Sequence, residues 1–137
     1  QVAPEYMFRA IEKLIYRFIS NTLVFAYDNK QRLTLNSANI LIPRISGISV
    51  KVALAYLNSS VFQFIFKKKY STHKVLRGDI EKMPFPIIRN EIHSEIERLV
   101  DLILDGTNNY KELDGLLCST FNLTTEEITR IKNSVKG

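Results

Sequence analysis

The residues of this sequence that are best suited to chemistry form a basic stretch, residues 66–77. Its five cationic side chains lie within eleven residues, and the next acidic residue is Asp79. The cations, which are suited to phosphate contact, are Lys67, Lys68, Lys69, Lys74 and Arg77. Three neighbours are able to hydrogen-bond a phosphate or a base edge: Tyr70, Thr72 and His73. A lysine run is most often a solvated surface, but this one ends an apolar segment, so we predict contact with nucleic acid.

A second group of residues, Glu5 together with Asp28, Asn29 and Lys30, loosely imitates the metal centre of restriction-type nucleases. Such centres use two carboxylates to hold Mg²⁺ and a lysine to assist the attacking water. Short motifs of this kind often arise by chance, and residues 28–30 are also typical of an ordinary turn. A small Mg²⁺-dependent nuclease is therefore the minor alternative, and we predict no catalytic residue in this chain.

Other enzyme and metal sites lack the residues that they need. The five glycines are too far apart to form a phosphate-binding turn, and the Asn-Pro-Pro-Tyr motif of amino-methyltransferases is absent. Two histidines and one cysteine are too few for a closed zinc site, so we predict no metal. We expect His93, beside Glu97, to be solvated or to cap a helix, and Cys118 to be a buried apolar residue.

The charge of the chain is divided between two parts. Residues 1–90 hold 14 Lys and Arg against 5 Asp and Glu, a net charge of +9. Residues 91–137 hold 5 against 9, a net charge of −4, so the total is only +5. Such asymmetry favours nucleic-acid binding by the basic part.

Length and composition exclude several classes of protein. With 137 residues and 45% hydrophobic residues, the chain has the size of one domain and enough apolar material for a core. No apolar run approaches the roughly 18 residues that a membrane span needs. One cysteine allows no internal disulfide, and no signal-type leader is present, so we expect a cytoplasmic protein. The chain begins at Gln1, which we interpret as a piece of a longer polypeptide.

The first half of the chain is predicted to be rich in β-structure. Residues 14–27 are β-branched and aromatic with a break at residues 20 and 21, which indicates a two-stranded hairpin followed by a turn at 28–30. Residues 33–35 and 39–42 are predicted to be short strands, the second ended by Pro43. Ser49 is predicted to cap a helix at 50–58 whose apolar stripe is Val50, Leu54 and Leu57.

Helices dominate the rest of the chain. Ser60 is predicted to cap a second helix that buries Phe62, Ile65 and Phe66 and ends in the lysines 67–69. We expect one more helical turn at 77–82 and extended backbone at 83–87, where prolines disfavour helix. Three helices follow, at 90–104, at 110–121 and after Thr124 or Thr125, the last with Glu127 or Glu126 in its cap. The apolar face of the first of these three comprises Ile92, Ile96, Leu99, Val100, Ile103 and Leu104.

Together these elements predict an α+β fold, in which a small twisted sheet of short strands packs with two helices and is followed by a C-terminal helical hairpin or bundle. Residues 1–89 are expected to form the α+β part and residues 90–137 the helical tail. We expect both parts to belong to one structural unit excised from a larger enzyme.

The order of several segments resembles the TaqI-like C-terminal specificity domain. These segments are residues 13–20, 23–28, 35–37 followed by 39–43, 53–59 and 74–87. The fourth ends in Leu57, Asn58 and Ser59, similar to the leucine-asparagine-serine helix end of that family. The helical tail, with residues 113–114 and 123–128, is also similar to the family.

The resemblance implies a target-recognition module of type IIG restriction–modification enzymes or of related adenine-specific DNA methyltransferases, which are prokaryotic. Its partners would be double-stranded DNA, read in the major groove, and an N-terminal methyltransferase domain of the same polypeptide that flips out the adenine. S-adenosylmethionine and Mg²⁺ would bind the upstream catalytic domains, so no cofactor is expected in this chain. Polar residues of two loops are further candidates for reading bases: Gln31, Arg32, Arg44 and Ser46.

The acidic helical tail has two open roles. We expect it to pack against the rest of the enzyme or to form a homodimer with a second copy, because its charge opposes approach to DNA. A protein–protein docking module, in which the basic stretch meets an acidic partner, is the main alternative to DNA recognition. Salt-dependent binding to random duplex DNA distinguishes these two functions.

Overall fold

The computed structural model describes residues 12–19, 22–29, 39–41, 45–69 and 83–136. Three strands lead the chain: β1 (Lys13–Ile19), β2 (Thr22–Asp28) and β3 (Asn39–Leu41). Five helices follow: α1 (Val50–Leu57), α2 (Ser60–Lys69), α3 (Asn90–Leu104), α4 (Tyr110–Ser119) and α5 (Thr125–Lys136). The predicted α+β fold is confirmed. The strand predicted at 33–35 and the helical turn predicted at 77–82 lie outside the described residues.

The sheet is an antiparallel hairpin with a short third strand. β1 pairs with β2 from Lys13 opposite Asp28 to Ile19 opposite Thr22, which confirms the predicted hairpin and its break. β3 pairs with the other side of β1, so the strand order is β2-β1-β3. Because successive side chains of a strand point to opposite faces, one face of this hairpin is buried and the other is partly open.

The buried face of the hairpin is aromatic and aliphatic. Leu14, Tyr16, Leu23 and Phe25 are all buried. The Tyr16 and Phe25 rings stack at 5.4 Å between centroids, and Phe25 stacks at 6.2 Å on Phe66 of α2. These cross-strand and strand-to-helix contacts attach α2 to the sheet.

Helix α1 occupies the centre of the molecule. The Ser49 hydroxyl accepts a hydrogen bond from the Val52 N–H, as predicted for its cap. Six consecutive residues, Val52 to Leu57, are buried, so the predicted single apolar stripe was too narrow. The reason is that α1 packs against the hairpin, α2, α3 and α4, and therefore has neighbours on most of its surface.

The junction between α1 and α2 is pinned to the edge of the sheet. The Asn58 side chain accepts a hydrogen bond from the Phe25 N–H at 3.0 Å and donates one to the Phe25 C=O at 2.9 Å. The Gln63 side-chain amide donates to the carbonyl of Leu23, two residues before Phe25 in β2. It also donates to the carbonyl of Leu57, the last residue of α1. Two side-chain amides thus take positions that a further strand would otherwise fill.

The cap of α2 lies one residue earlier than predicted. The Ser59 hydroxyl accepts from the Phe62 N–H and donates to the Tyr56 C=O, so Ser59 links the end of α1 to the start of α2. Ser60 instead donates its N–H and its hydroxyl to the carboxylate of Asp114, at 2.8 and 2.7 Å. A carboxylate from α4 therefore satisfies the first turn of α2, where negative charge is favoured.

An aromatic cluster joins the α1–α2 pair to the later part of the chain. Its rings, with centroids 5.0–6.1 Å apart, are Tyr56, Phe62, Phe85 and Phe121. The Tyr56 hydroxyl lies 2.8 Å from Thr120 Oγ1, and burial raises the pKa of this tyrosine. The described core is continuous from Leu14 in β1 to Ile131 in α5.

The segment at 83–89 has no regular secondary structure, but it is not simply extended. The Phe85 N–H donates to the Met83 C=O at 2.9 Å, which closes a three-residue turn around Pro84. Met83 is buried and Phe85 enters the aromatic cluster, so this turn packs both side chains against the core.

The helical tail follows the predicted pattern with two differences. Ile96, Leu99 and Val100 are buried, but Leu104 is 46% exposed because it is the last residue of α3, beyond the packed turns. α4 ends at Ser119 rather than at residue 121. α3 ends in a Schellman motif, in which Thr107 and Gly106 donate to the carbonyls of Leu102 and Ile103. The positive φ of Gly106, 105°, suits that motif.

The cap of α5 is a capping box. The Thr124 hydroxyl accepts from the Glu127 N–H, and the Glu127 carboxylate accepts from the Thr124 N–H. This confirms the predicted pair and selects Thr124 with Glu127. Within the described part of the chain, no helix is both long and apolar enough to cross a bilayer.

Replacing Asn58 with alanine tests the pinned junction. The variant lacks two hydrogen bonds to the Phe25 backbone, so we expect unfolding free energy to fall by about 1–2 kcal/mol. Urea unfolding followed by circular dichroism measures this change. Asn133→Ala is the control, because Asn133 is exposed on α5 and should cost nothing. Equal urea midpoints for the two variants would contradict the role of Asn58.

Candidate nucleic-acid interface

The described part of the basic stretch lies at the end of α2. Phe62 and Phe66 are buried on one side of this helix and fix its rotation, while Lys67 and Lys68 are exposed on the other. Lys67 to Lys69 are the last three residues of α2, as predicted. Cations are favoured there because the helix C-terminus carries a partial negative charge. The lysines are thus placed by packing and are not part of a loose tail.

Lys68 has a contact that limits its motion. Its Nζ lies 5.6 Å from the centroid of the Phe64 ring, within cation–π range. Phe64 is itself packed against the core. The ammonium of Lys68 is therefore held near the surface of the helix while its residue remains exposed.

Ser46 is the one predicted base-reading residue within the described ranges. It is exposed in a β-turn at residues 45–48, closed by a hydrogen bond from the Ile48 N–H to the Ile45 C=O at 3.1 Å. Gly47 provides the positive φ of 76° that the third position of such a turn requires. Ser46 thus belongs to the turn before α1, and the lysines to the end of α2.

The remaining predicted contacts lie outside the described residues and stay predictions. They are two of the phosphate-binding candidates and six of the base-reading candidates: Lys74, Arg77, Gln31, Arg32, Arg44, Tyr70, Thr72 and His73.

Asp28, the described member of the nuclease-like group, forms a buried ion pair. Its carboxylate lies 3.0 Å from the Lys13 ammonium, with side chains 4% and 0% exposed. A Mg²⁺ site needs carboxylates whose charge is available to the metal, and here an ammonium offsets it. No group of three His, Cys, Asp or Glu suited to a metal occurs among the described residues. Glu5 and Lys30 lie outside them.

Sequence analysis missed the Lys13–Asp28 pair, although a signal for it was present. The predicted break at residues 20 and 21 fixes the hairpin register, and that register places Lys13 directly opposite Asp28. Opposite charges facing each other across an antiparallel pair are a stabilising combination.

A second polar group ties the same end of the hairpin to the helices. The Tyr27 hydroxyl donates to Glu12 at 2.6 Å, and burial together with this carboxylate raises the pKa of Tyr27. The Lys51 ammonium lies 5.6 Å from the Tyr27 ring centroid and 2.6 Å from Asp101 of α3. Its hydrogen bond to Asp101 raises the pKa of Lys51. The Lys51 ammonium therefore interacts with side chains of the protein itself, on β2 and on α3.

His93 links α3 to the start of α1. The Ser49 N–H donates to its Nε2 at 3.2 Å, and its Nδ1 lies 3.4 Å from Glu97. An accepting Nε2 means that the neutral ring has its proton on Nδ1, facing the carboxylate. The prediction of a solvated or capping histidine is therefore refined to a capping role, at the first turn of α1.

Cys118 is a core residue, as predicted. It is 1% exposed, and burial raises the pKa of its thiol. Its sulfur lies 3.7 Å from the Ser60 hydroxyl. A buried thiol with a raised pKa forms little of the nucleophilic thiolate.

The described part of the chain thus places an anchored basic helix end beside a small sheet. The sequence model of the TaqI-like C-terminal specificity domain matches residues 1–85, and the chain belongs to that family. It is therefore a specificity domain of restriction–modification enzymes, a kind of domain that is not catalytic by itself. No curated protein and no solved structure matches the chain.

Exchanging the buried pair for apolar residues tests its role. Lys13→Met leaves Asp28 buried without its cation, so we expect unfolding free energy to fall by about 3–5 kcal/mol. Lys13→Met with Asp28→Val should recover most of that stability, because no buried charge remains. Urea unfolding of the two single variants and the double variant measures the coupling. A double variant less stable than either single variant would contradict this account.

The accessibility of Cys118 provides a test of the core. Because the thiol is buried and its pKa is raised, we expect slow reaction with a chromogenic disulfide reagent at mildly alkaline pH. The same reagent should react at once after denaturation in urea, which serves as the control. Cys118 is the only cysteine in the chain, so the absorbance change reports this residue alone. Equal rates before and after denaturation would show that the Cys118 thiol is not buried in the core.

Proposed function

We propose that this chain is the double-stranded DNA recognition module of a type IIG restriction–modification enzyme. The observation that supports this most is the family match over residues 1–85, which includes the whole of α2 and its terminal lysines. Within that matched range, α2 has three lysines and no acidic residue. A cationic helix end held by buried aromatic residues is suited to a polyanion with regularly spaced charges.

In this proposal, affinity and specificity come from two different kinds of contact. Lys67, Lys68 and Lys69, with Lys74 and Arg77, bind phosphates and set the register on the duplex without reading sequence. The base-reading candidates, including the exposed Ser46, distinguish base pairs through hydrogen bonds in the major groove. Affinity and its salt dependence then come from the lysines, and specificity comes from the loops.

In the proposed assembly the chemistry belongs to another part of the polypeptide. A methyltransferase domain N-terminal to this chain binds S-adenosylmethionine, and a nuclease domain, where one is present, binds Mg²⁺. The role of this chain is to place the target adenine within reach of that active site. It does so by holding the flanking base pairs in one orientation while the adenine leaves the stack.

The salt dependence of DNA binding tests the phosphate contacts. Lys67→Ala, Lys68→Ala and Lys69→Ala together should weaken binding to all duplex sequences alike. The slope of log affinity against log salt should become shallower by about 0.9 for each phosphate that the protein no longer neutralises, or about 2.7 in total. Fluorescence anisotropy with a short mixed-sequence duplex, repeated at several salt concentrations, measures both quantities.

Lys111→Ala is the control, since Lys111 is exposed on α4, which has more acidic than basic residues. An unchanged slope in the triple variant would show that the end of α2 does not contact DNA. Wild-type chain that binds no duplex at any salt concentration would instead favour the docking module.

A further inference from the structure

The helical tail is not uniformly acidic once its charge is assigned to its helices. α3 has four acidic residues and one arginine, and α4 has two acidic residues and one lysine. α5 has three cations and two acidic residues, and both of its acids, Glu126 and Glu127, lie in its first turn. From residue 128 to residue 136 α5 has three cations and no acid. The net charge of −4 in the tail therefore conceals a basic end.

The cations of α5 flank its buried side. Ile131 is buried and Ile128 is partly buried against the core, which fixes the rotation of the helix. Arg130 and Lys132, on either side of Ile131 in sequence, are both exposed. The carboxylate of Glu127 accepts a hydrogen bond from the Thr124 N–H in the capping box, at the start of the helix.

α5 packs against α2, the helix that ends in the predicted phosphate-binding lysines. α2 has no acidic residue, so no charge of its own opposes the α5 cations. The exposed cations of these two packed helices include Lys67 and Lys68 of α2 and Arg130 and Lys132 of α5.

We infer that α5 is a second DNA-contacting element, which binds backbone phosphates through Arg130 and Lys132. This inference rests on the proposed function and extends it to a helix outside the matched residues 1–85. The expectation that the tail stays away from DNA then applies to α3 and α4, whose charge opposes it. A helix about 15 Å long, as α2 is, matches the axial length of about four phosphates on one strand. Contacts along both helices would thus lengthen the footprint without adding sequence information.

A matched pair of double variants tests the inference in the full chain. Arg130→Gln with Lys132→Gln removes one arginine and one lysine from α5. Arg98→Gln with Lys111→Gln removes the same two types from the exposed surfaces of α3 and α4. With a short mixed-sequence duplex as the probe, we expect the α5 variant to flatten the salt slope by about 1.8 and the control to leave it unchanged.

A variant that adds a positive charge keeps the inference testable even if the double variant fails to fold. Asn133 is exposed on α5 next to Lys132, and Asn133→Lys should steepen the slope by about 0.9. If the α5 double variant behaves like its control, or Asn133→Lys leaves the slope unchanged, α5 does not contact DNA. In that case, if the triple variant of the α2 lysines still flattens the salt slope, the proposed function stands without α5. Wild-type chain without salt-dependent binding would overturn both.

Discussion

The fold depends on a side-chain amide that completes the edge of a sheet. Asn58 makes both hydrogen bonds that a neighbouring strand would make to Phe25, and it does so from the end of a helix. The next two residues continue the junction, since Ser59 joins α1 to α2 and Ser60 binds Asp114 of α4. Three consecutive residues, 58–60, therefore connect the sheet, α1, α2 and α4. This is where the family-like leucine-asparagine-serine segment lies.

The direction of α2 follows from that junction. Its start is fixed by Ser59 and Asp114, and its rotation is fixed by the buried rings of Phe62 and Phe66. Lys67 and Lys68 lie on the exposed side of its last turn. Cations on a helix that is already packed in place cost less to order on binding than cations in a loose tail.

The parts that sequence could predict were those set by neighbours along the chain. The hairpin, the cap at Ser49 and the capping box at Thr124 and Glu127 all follow from local spacing. The parts it missed depend on contacts between distant segments. Ser60 was predicted to be a cap because its contact with Asp114 of α4 could not be seen from the local sequence. The apolar stripe predicted for α1 was too narrow because two strands and three helices pack against this helix. For the site, the sequence analysis placed the lysines at a helix end. It assigned one net charge to the 47 residues 91–137, and that sum hid the difference between the acidic α3 and the basic end of α5.

The buried ion pair of the hairpin restricts how this domain changes during evolution. Lys13 and Asp28 stand at the first and last positions of the paired strands, and almost none of either side chain reaches solvent. A lineage that replaces one of them alone passes through a protein in which a buried ion pair is broken, a strongly destabilising change. The two positions should therefore be inherited as a unit, changing together or not at all. Exposed residues such as Ser46 have no such restriction, because replacing them leaves no buried charge behind.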